Sequence, residues 1–183
     1  MKSKFIILLG LPIMLGCNFV LSGMQGRNPT PVPSGTGPSH EAISIPASDT
    51  APAIFFVLER IHTGEGNLSS QLGLRAAEAS KEGLSPFIEF DATWCPPCQA
   101  VNESITSRDP QTMQAFDGIF LIRADVDEWG MGDGVNFKFD AIPVYFKLDE
   151  NGQPSGDVID GGAWGEDIPE NFAPVLGEFF HRN

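Results

Sequence analysis

The chain has 183 residues, with 24 acidic against 11 basic side chains and a formal net charge of -13. That length holds one domain with a sizeable core and leaves little room for a second. A surface this acidic repels nucleic acid and anionic lipid headgroups, which excludes a protein that tracks phosphate backbones.

Lys2 and Lys4 precede an apolar run from Phe5 to Leu15 that only Gly10 and Pro12 interrupt, and Leu15-Gly16-Cys17 follows. This is the charged, apolar and small-residue layout of an export signal. The run is shorter than the roughly 20 residues that span a bilayer. Residues 1–17 are therefore expected to be a signal peptide. Their ending resembles the lipobox of bacterial lipoproteins, which implies acylation of Cys17 and an extracytoplasmic chain, anchored in the cell envelope and facing the periplasm. Membrane contact would then run only through the lipid. The alternative is cleavage slightly later, near Ser22 to Gly26, with Cys17 discarded. Either way two cysteines remain, Cys95 and Cys98.

Residues 18–50 carry Pro29, Pro31, Pro33, Pro38 and Pro46 among Gly, Ser and Thr, with almost no apolar periodicity. Such a segment buries too little surface to offset its ordering entropy, and a flexible linker is expected there. The folded domain is expected over 51–183.

Within that domain, Ala53 to Leu58 is an apolar, aromatic-rich run that suits a buried strand. Asn67 is placed to cap a helix from Leu68 to about Glu82, which Gly83 stops. Pro86 to Ala92 reads as a second strand leading into the cysteine pair. A helix after Cys95 carries Ala100, Val101 and Ile105 inward, and Asp109 caps a short one from Pro110 to Phe116. Ile119 to Val126 and Val144 to Leu148 read as strands, and Asn151-Gly152 signals a hairpin into a last strand around Val158 to Asp160. Phe172, Val175, Leu176, Phe179 and Phe180 give Pro169 to His181 the spacing of an amphipathic helix. The order predicts an α/β domain, with a mixed central β-sheet flanked by helices on both faces.

Two cysteines separated by two residues at a helix start are placed for disulfide chemistry. Unpaired amides and the helix dipole favour a thiolate at the first position. Cys95 is therefore expected to be the exposed nucleophile, and Cys98 the sheltered thiol that resolves a mixed disulfide. Pro96 and Pro97 lack amide protons, which a helix start tolerates. A zinc site would need two further ligands, and His40, His62 and His181 lie far off in sequence. Covalent haem attachment would need His where Gln99 stands. A purely structural disulfide is the remaining alternative, although so short a loop stabilises little through chain entropy.

The stretch Pro86-Phe-Ile-Glu-Phe-Asp-Ala-Thr-Trp-Cys-Pro-Pro-Cys98 resembles the strand, aromatic and CxxC passage of the thioredoxin superfamily. Pro143, in Ala141-Ile142-Pro143-Val144, matches that family's cis-proline. The resemblance covers Ala53 to Asn183. It implies a thioredoxin-like fold and a thiol-disulfide oxidoreductase whose redox group is the Cys95-Cys98 disulfide, with no other cofactor. Trp94, Ile142 and Pro143 would meet substrate. Glu89, six residues before Cys95, falls where the family often has a buried acid relaying protons to the resolving thiol, but its neighbours Ile88 and Phe90 leave its facing open. Trp94 reads either as a lid on the disulfide or as a packing residue. Gln99 stands where a basic residue is usual and Asp91 where many members have an aromatic, so the local electrostatics differ from thioredoxin.

Among branches, Ser107-Arg108-Asp109-Pro110 and Asp125-Val126-Asp127 resemble the DsbD C-terminal domain, and the Pro-Pro centre is similar to TlpA and ResA-type reductases. These likenesses imply a reductase of exported proteins with cysteines, apocytochromes included, re-reduced by a membrane electron donor of DsbD or CcdA type, and the absence of a long exposed apolar stripe makes a monomer the expectation. A disulfide oxidase or isomerase on the same fold and a non-catalytic binding module are the alternatives.

Asp125, Asp127, Glu128 and Asp133 crowd the loop Trp129 to Gly134 and partly mimic a calcium loop. Trp129 fills a ligand position and the closing Glu is absent, so a solvated acidic loop without metal is expected. Phe137, Phe139, Tyr145 and Phe146 are expected in the core, and Trp164 on the surface near the substrate groove.

Overall fold

Six strands make one mixed sheet in the order β1-β2-β4-β3-β5-β6. They are β1 (His40–Ile45), β2 (Ile54–Ile61), β3 (Ser85–Asp91), β4 (Ile119–Asp125), β5 (Val144–Leu148) and β6 (Pro154–Asp160). β2, β4 and β3 run parallel, and β1, β5 and β6 are antiparallel to their neighbours. The computed structural model describes residues 40–45, 53–131 and 136–182. The expected signal peptide 1–17, with Cys17, and most of the segment 18–50 lie outside the described residues.

Among the described residues five helices pack on the sheet: α1 (Leu68–Glu82), α2 (Pro96–Thr106), α3 (Pro110–Phe116), α4 (Val126–Trp129) and α5 (Pro169–His181). Period-two alternation along the strands sends side chains to two separate cores. Leu68, Leu72 and Ala79 of α1 meet Val57, Ile88, Phe90, Ile122 and Phe146 on one face. Val101 and Ile105 of α2, Met113 and Phe116 of α3, and Phe172, Leu176 and Phe180 of α5 meet Phe56, Phe87, Leu121 and Tyr145 on the other. This is the expected thioredoxin-like arrangement, with helices on both faces of a mixed sheet. Phe137, Phe139 and Phe146 gather around Phe90 with ring centroids 4.6 to 6.2 Å away. Tyr145, one residue from Phe146, points to the opposite face.

Helix ends follow local chemistry. Asn67 accepts from the Ser70 amide at 2.9 Å, and Gly83, at φ 74, closes α1. Asp109 accepts from the Thr112 amide at 2.9 Å to open α3.

One expectation is corrected here. His40–Ile45, within the segment expected as linker, is an edge strand paired with β2 from His40↔Glu59 to Ile45↔Ile54. Backbone pairing to an open strand edge asks little of side chains, so its sequence carries only a weak strand signal.

The β5–β6 hairpin docks on α1 through Gly152, which adopts φ 75. A Cβ there would lie 2.5 Å from the Gly73 amide nitrogen, against helix backbone that cannot yield. Gly152→Ala is expected to cost about 2 to 4 kcal/mol, combining backbone strain with overpacking, read as a lower urea midpoint. An unchanged midpoint would refute the docking.

Candidate active site

Cys95 and Cys98 form a disulfide with Cα atoms 5.3 Å apart. Strand β3 delivers the pair and helix α2 receives it, with Cys95 as N-cap and Pro96 and Pro97 in the first turn. The Cys98 amide donates to the Cys95 sulfur at 3.3 Å. That amide is one of the helix-start donors that lack a backbone partner, so it favours negative charge on this sulfur when the bond is reduced. On its other side the Cys95 sulfur lies 3.7 Å from the Ile142 carbonyl oxygen. Ile142-Pro143 is a cis peptide. Pro143 is fixed from behind by the Gly161 amide, which donates to its carbonyl at 2.9 Å. A Cβ on Gly161 would stand 3.2 Å from the proline ring, so glycine permits that approach.

Cys95, expected to be exposed, is 2% exposed, and Cys98 is 4%. The N-cap geometry turns the Cys95 sulfur inward, between its helix and the Ile142 carbonyl. Trp94 is 59% exposed, which rules out a core packing role. Its indole N–H donates to Asp127 at 2.9 Å.

Glu89 is fully buried on the α2 side of the sheet. Tyr145 donates its hydroxyl to one carboxyl oxygen at 2.8 Å and Arg123 Nε to the other at 2.7 Å. Register explains the cluster, since Arg60, Arg123, Glu89 and Tyr145 pair in turn across β2, β4, β3 and β5. They form a buried polar row across the sheet. Asp91, two residues on, takes both guanidinium arms of Arg60, at 2.8 and 2.5 Å. Arg123 also reaches Asn102 of α2 at 2.9 Å. A cavity of about 230 Å³, lined by Arg60, Asp91, Thr93, Cys98, Gln99 and Asn102, opens behind the second cysteine. Of the row only Arg60 lines this space; Glu89 does not, and its two carboxyl oxygens are taken by Tyr145 and Arg123.

Burial pushes the Glu89 carboxyl above its ordinary 4.5, against the pull of Arg123. Burial, then Glu89, pushes Tyr145 well above 10.0, so it stays a donor. The folded state thus holds the Glu89 proton more tightly than the unfolded chain. The stability this lends is complete below 4.5 and lost as pH rises through the folded value. Measured against Glu89→Gln, which does not titrate, the wild type is expected to lose stability as pH climbs from 4.5. Urea midpoints of both proteins at about pH 4 and about pH 7 check this. A wild type that gains on the variant over that interval would contradict it.

The acidic loop is committed elsewhere. Asp125 caps α4 by accepting from the Asp127 amide, Asp127 holds Trp94, and Glu128 meets His62 at 2.9 Å. The His62 contact, then the Thr63 amide, draws Glu128 below the ordinary carboxylate range. Asp133 lies outside the described residues. Trp164 corrects the sequence reading, for it is buried against Phe172 and donates to Asp167 at 3.0 Å. It packs near Gly161, beneath the Pro143 turn, and offers no surface to a substrate.

No family model matches the chain, and no curated protein matches it. Solved structures do. A Trichomonas vaginalis thioredoxin is 24% identical over 55% of this chain and 82% of its own, with a TM-score of 0.38. The poplar thioredoxin h PtTrxh4 is 24% identical over 56% of this chain and 81% of its own, at 0.41. Thioredoxin O1 from Arabidopsis thaliana, in its oxidized state, is 15% identical over 67% of this chain and 97% of its own, at 0.38. The fold itself stands on this chain's own strand order and helix placement.

Proposed function

We propose that the chain is a thiol-disulfide oxidoreductase of the cell envelope that reduces disulfides in exported proteins. One observation carries the reading: the Cys95 sulfur sits at the start of α2 with the Cys98 amide on one side and the Ile142 carbonyl of a cis-proline turn on the other.

The chemistry follows from that placement. In the reduced protein the Cys95 thiolate attacks one sulfur of a substrate disulfide. The substrate S–S bond breaks, its other sulfur leaves as a thiolate and takes a proton, and a mixed disulfide on Cys95 remains. Cys98 then gives up its proton and attacks the Cys95 sulfur, expelling the second substrate thiol. Two electrons pass to the substrate, and the Cys95-Cys98 disulfide forms. A dithiol donor must reverse that bond for the next cycle, and a membrane donor of DsbD or CcdA type fits an envelope protein.

Trp94 and the Ile142-Pro143 turn flank the attacked sulfur and are assigned to substrate binding. Glu89 is assigned to proton handling for Cys98, acting through Arg123 and Asn102, the latter lining the cavity behind that cysteine. The export-signal pattern of residues 1–17 supports the envelope location, and acylation at Cys17 supplies the anchor.

Titrating the Cys95/Cys98 couple against glutathione tests the direction of electron flow. A reductase is expected toward the thioredoxin value of about -270 mV, and a potential near the DsbA value of about -120 mV would overturn that direction in favour of an oxidase. Incorporation of radioactive palmitate is expected in the wild type and absent in Cys17→Ser; equal labelling of both would remove the anchor.

A further inference from the structure

A second cavity, of about 440 Å³, lies beside the C-terminal end of α2, and Glu59, Arg60, Arg108, Arg123, Asn102 and Thr106 supply its polar lining. Three arginines lining one hollow are unexpected in a chain of net charge -13. Its size is that of an ordinary small-molecule site. Leu58 and Ile105 give it an apolar wall.

The guanidinium donors are only partly used. Arg60 spends one N–H from each arm on Asp91, and Arg123 spends Nε on Glu89 and one arm on Asn102. Each guanidinium carries five N–H donors, so both keep outer ones. Among the described residues the Arg108 side chain has no hydrogen bond or ion pair. The carboxylates nearby are each matched by an arginine, Glu59 by Arg75, Glu89 by Arg123 and Asp91 by Arg60, which leaves Arg108 as surplus positive charge.

Arg108 also stands in an unusual backbone state. It follows the Ser107 C-cap at φ 58, where its amide donates to Ile105 and the next amide to Ser104. Glycine is the usual residue in that left-handed position, and a non-glycine there is a reason to look for function. A guanidinium near a helix C-terminus is favourable without any ligand, so the test must separate the two roles.

We propose that this cavity binds a small polyanion whose phosphate or carboxylate oxygens are held by Arg60, Arg108 and Arg123. Planar forks suit both groups, since each presents paired oxygens to two parallel N–H donors. The remote carboxylates behind the net charge are screened beyond a Debye length of about 8 Å at physiological salt, whereas donors in the cavity act at contact. Arg60 and Asn102 also line the smaller cavity behind Cys98, so the two spaces share a wall, but the proposal does not depend on the oxidoreductase reading.

The test is calorimetric titration of the full-length oxidised chain with inorganic pyrophosphate and, separately, citrate, with potassium chloride at matched ionic strength as control. Saturable binding of either anion, absent with chloride, is expected, with a Kd at or below about 1 mM and a rise in Tm. Arg108→Gly is expected to weaken binding at least about fivefold while leaving the ligand-free Tm unchanged or higher, because glycine relieves the left-handed strain. Arg108→Lys, which keeps charge but loses the fork, is expected to fall between. No saturable binding of either anion, an equal response to chloride, or an Arg108→Gly variant that binds like wild type would overturn the proposal.

Discussion

Cys95→Ser is expected to lose disulfide turnover down to the uncatalysed background, whereas Cys98→Ser is expected to stall one step later with substrate held on Cys95. The asymmetry follows from position. Cys95 receives the helix-start amide, so it is the sulfur whose thiolate the fold stabilises, and it lies at the cis-proline turn. Cys98, one helical turn in, is packed in the apolar core and borders the small cavity behind α2. Insulin reduction driven by dithiothreitol reads the first effect, and mass analysis of acid-quenched Cys98→Ser with a disulfide peptide reads the second. If Cys95→Ser retained wild-type turnover, or if the trapped adduct mapped to Cys98 in the reciprocal experiment, the assigned roles would fail.

Arg123→Ala is expected to be the most damaging single change away from the cysteines, at about 3 to 5 kcal/mol, because it strands the buried Glu89 carboxylate. Arg123 and Glu89 are both buried in the sheet and bonded at 2.7 Å. Removing one partner leaves the desolvation cost of the other without return. A loss of that size lowers Tm by on the order of 10 °C in a domain of this length. The double variant Glu89→Leu with Arg123→Met, which removes both charges and keeps the volume, is expected to recover most of the loss. Calorimetric Tm values for the three proteins decide it. A Tm for Arg123→Ala within about 2 °C of wild type would show that the row does not hold the sheet together.

The helices were legible because their signals are local. Asn67 and Gly83 bracket α1, Asp109 opens α3, and five spaced apolar residues mark α5. The redox pair was equally legible, since CxxC spacing and a helix start are both local. What escaped the sequence depends on which strands are neighbours. Glu89 lies between Ile88 and Phe90, which share one core, while Phe87 before them enters the other, so the run is buried on both faces and no alternation told that Glu89 was buried too. Its partners Arg123 and Tyr145 sit 34 and 56 residues away and meet it only through the register of β3 with β4 and β5. Arg123 did leave a trace, as a lone cation inside Ile-Phe-Leu-Ile-Arg-Ala, where burial demands a counter-charge. Asp91 left another, standing where an aromatic is common, and its partner Arg60 comes from β2. β1 was missed because strand pairing at a sheet edge is written in the backbone, and the inward turn of Cys95 because it depends on the distant Ile142 carbonyl.

The most direct test of the central claim is stoichiometric. Fully reduced protein, freed of dithiothreitol, is mixed with an equimolar disulfide substrate, quenched with acid and alkylated, and the Cys95 and Cys98 peptides are weighed by mass spectrometry. Both thiols are expected to vanish together as one substrate disulfide opens per chain, with the Cys95-Cys98 bond re-formed. Cysteines that stay fully alkylatable beside an intact substrate disulfide would contradict an oxidoreductase, whatever the fold.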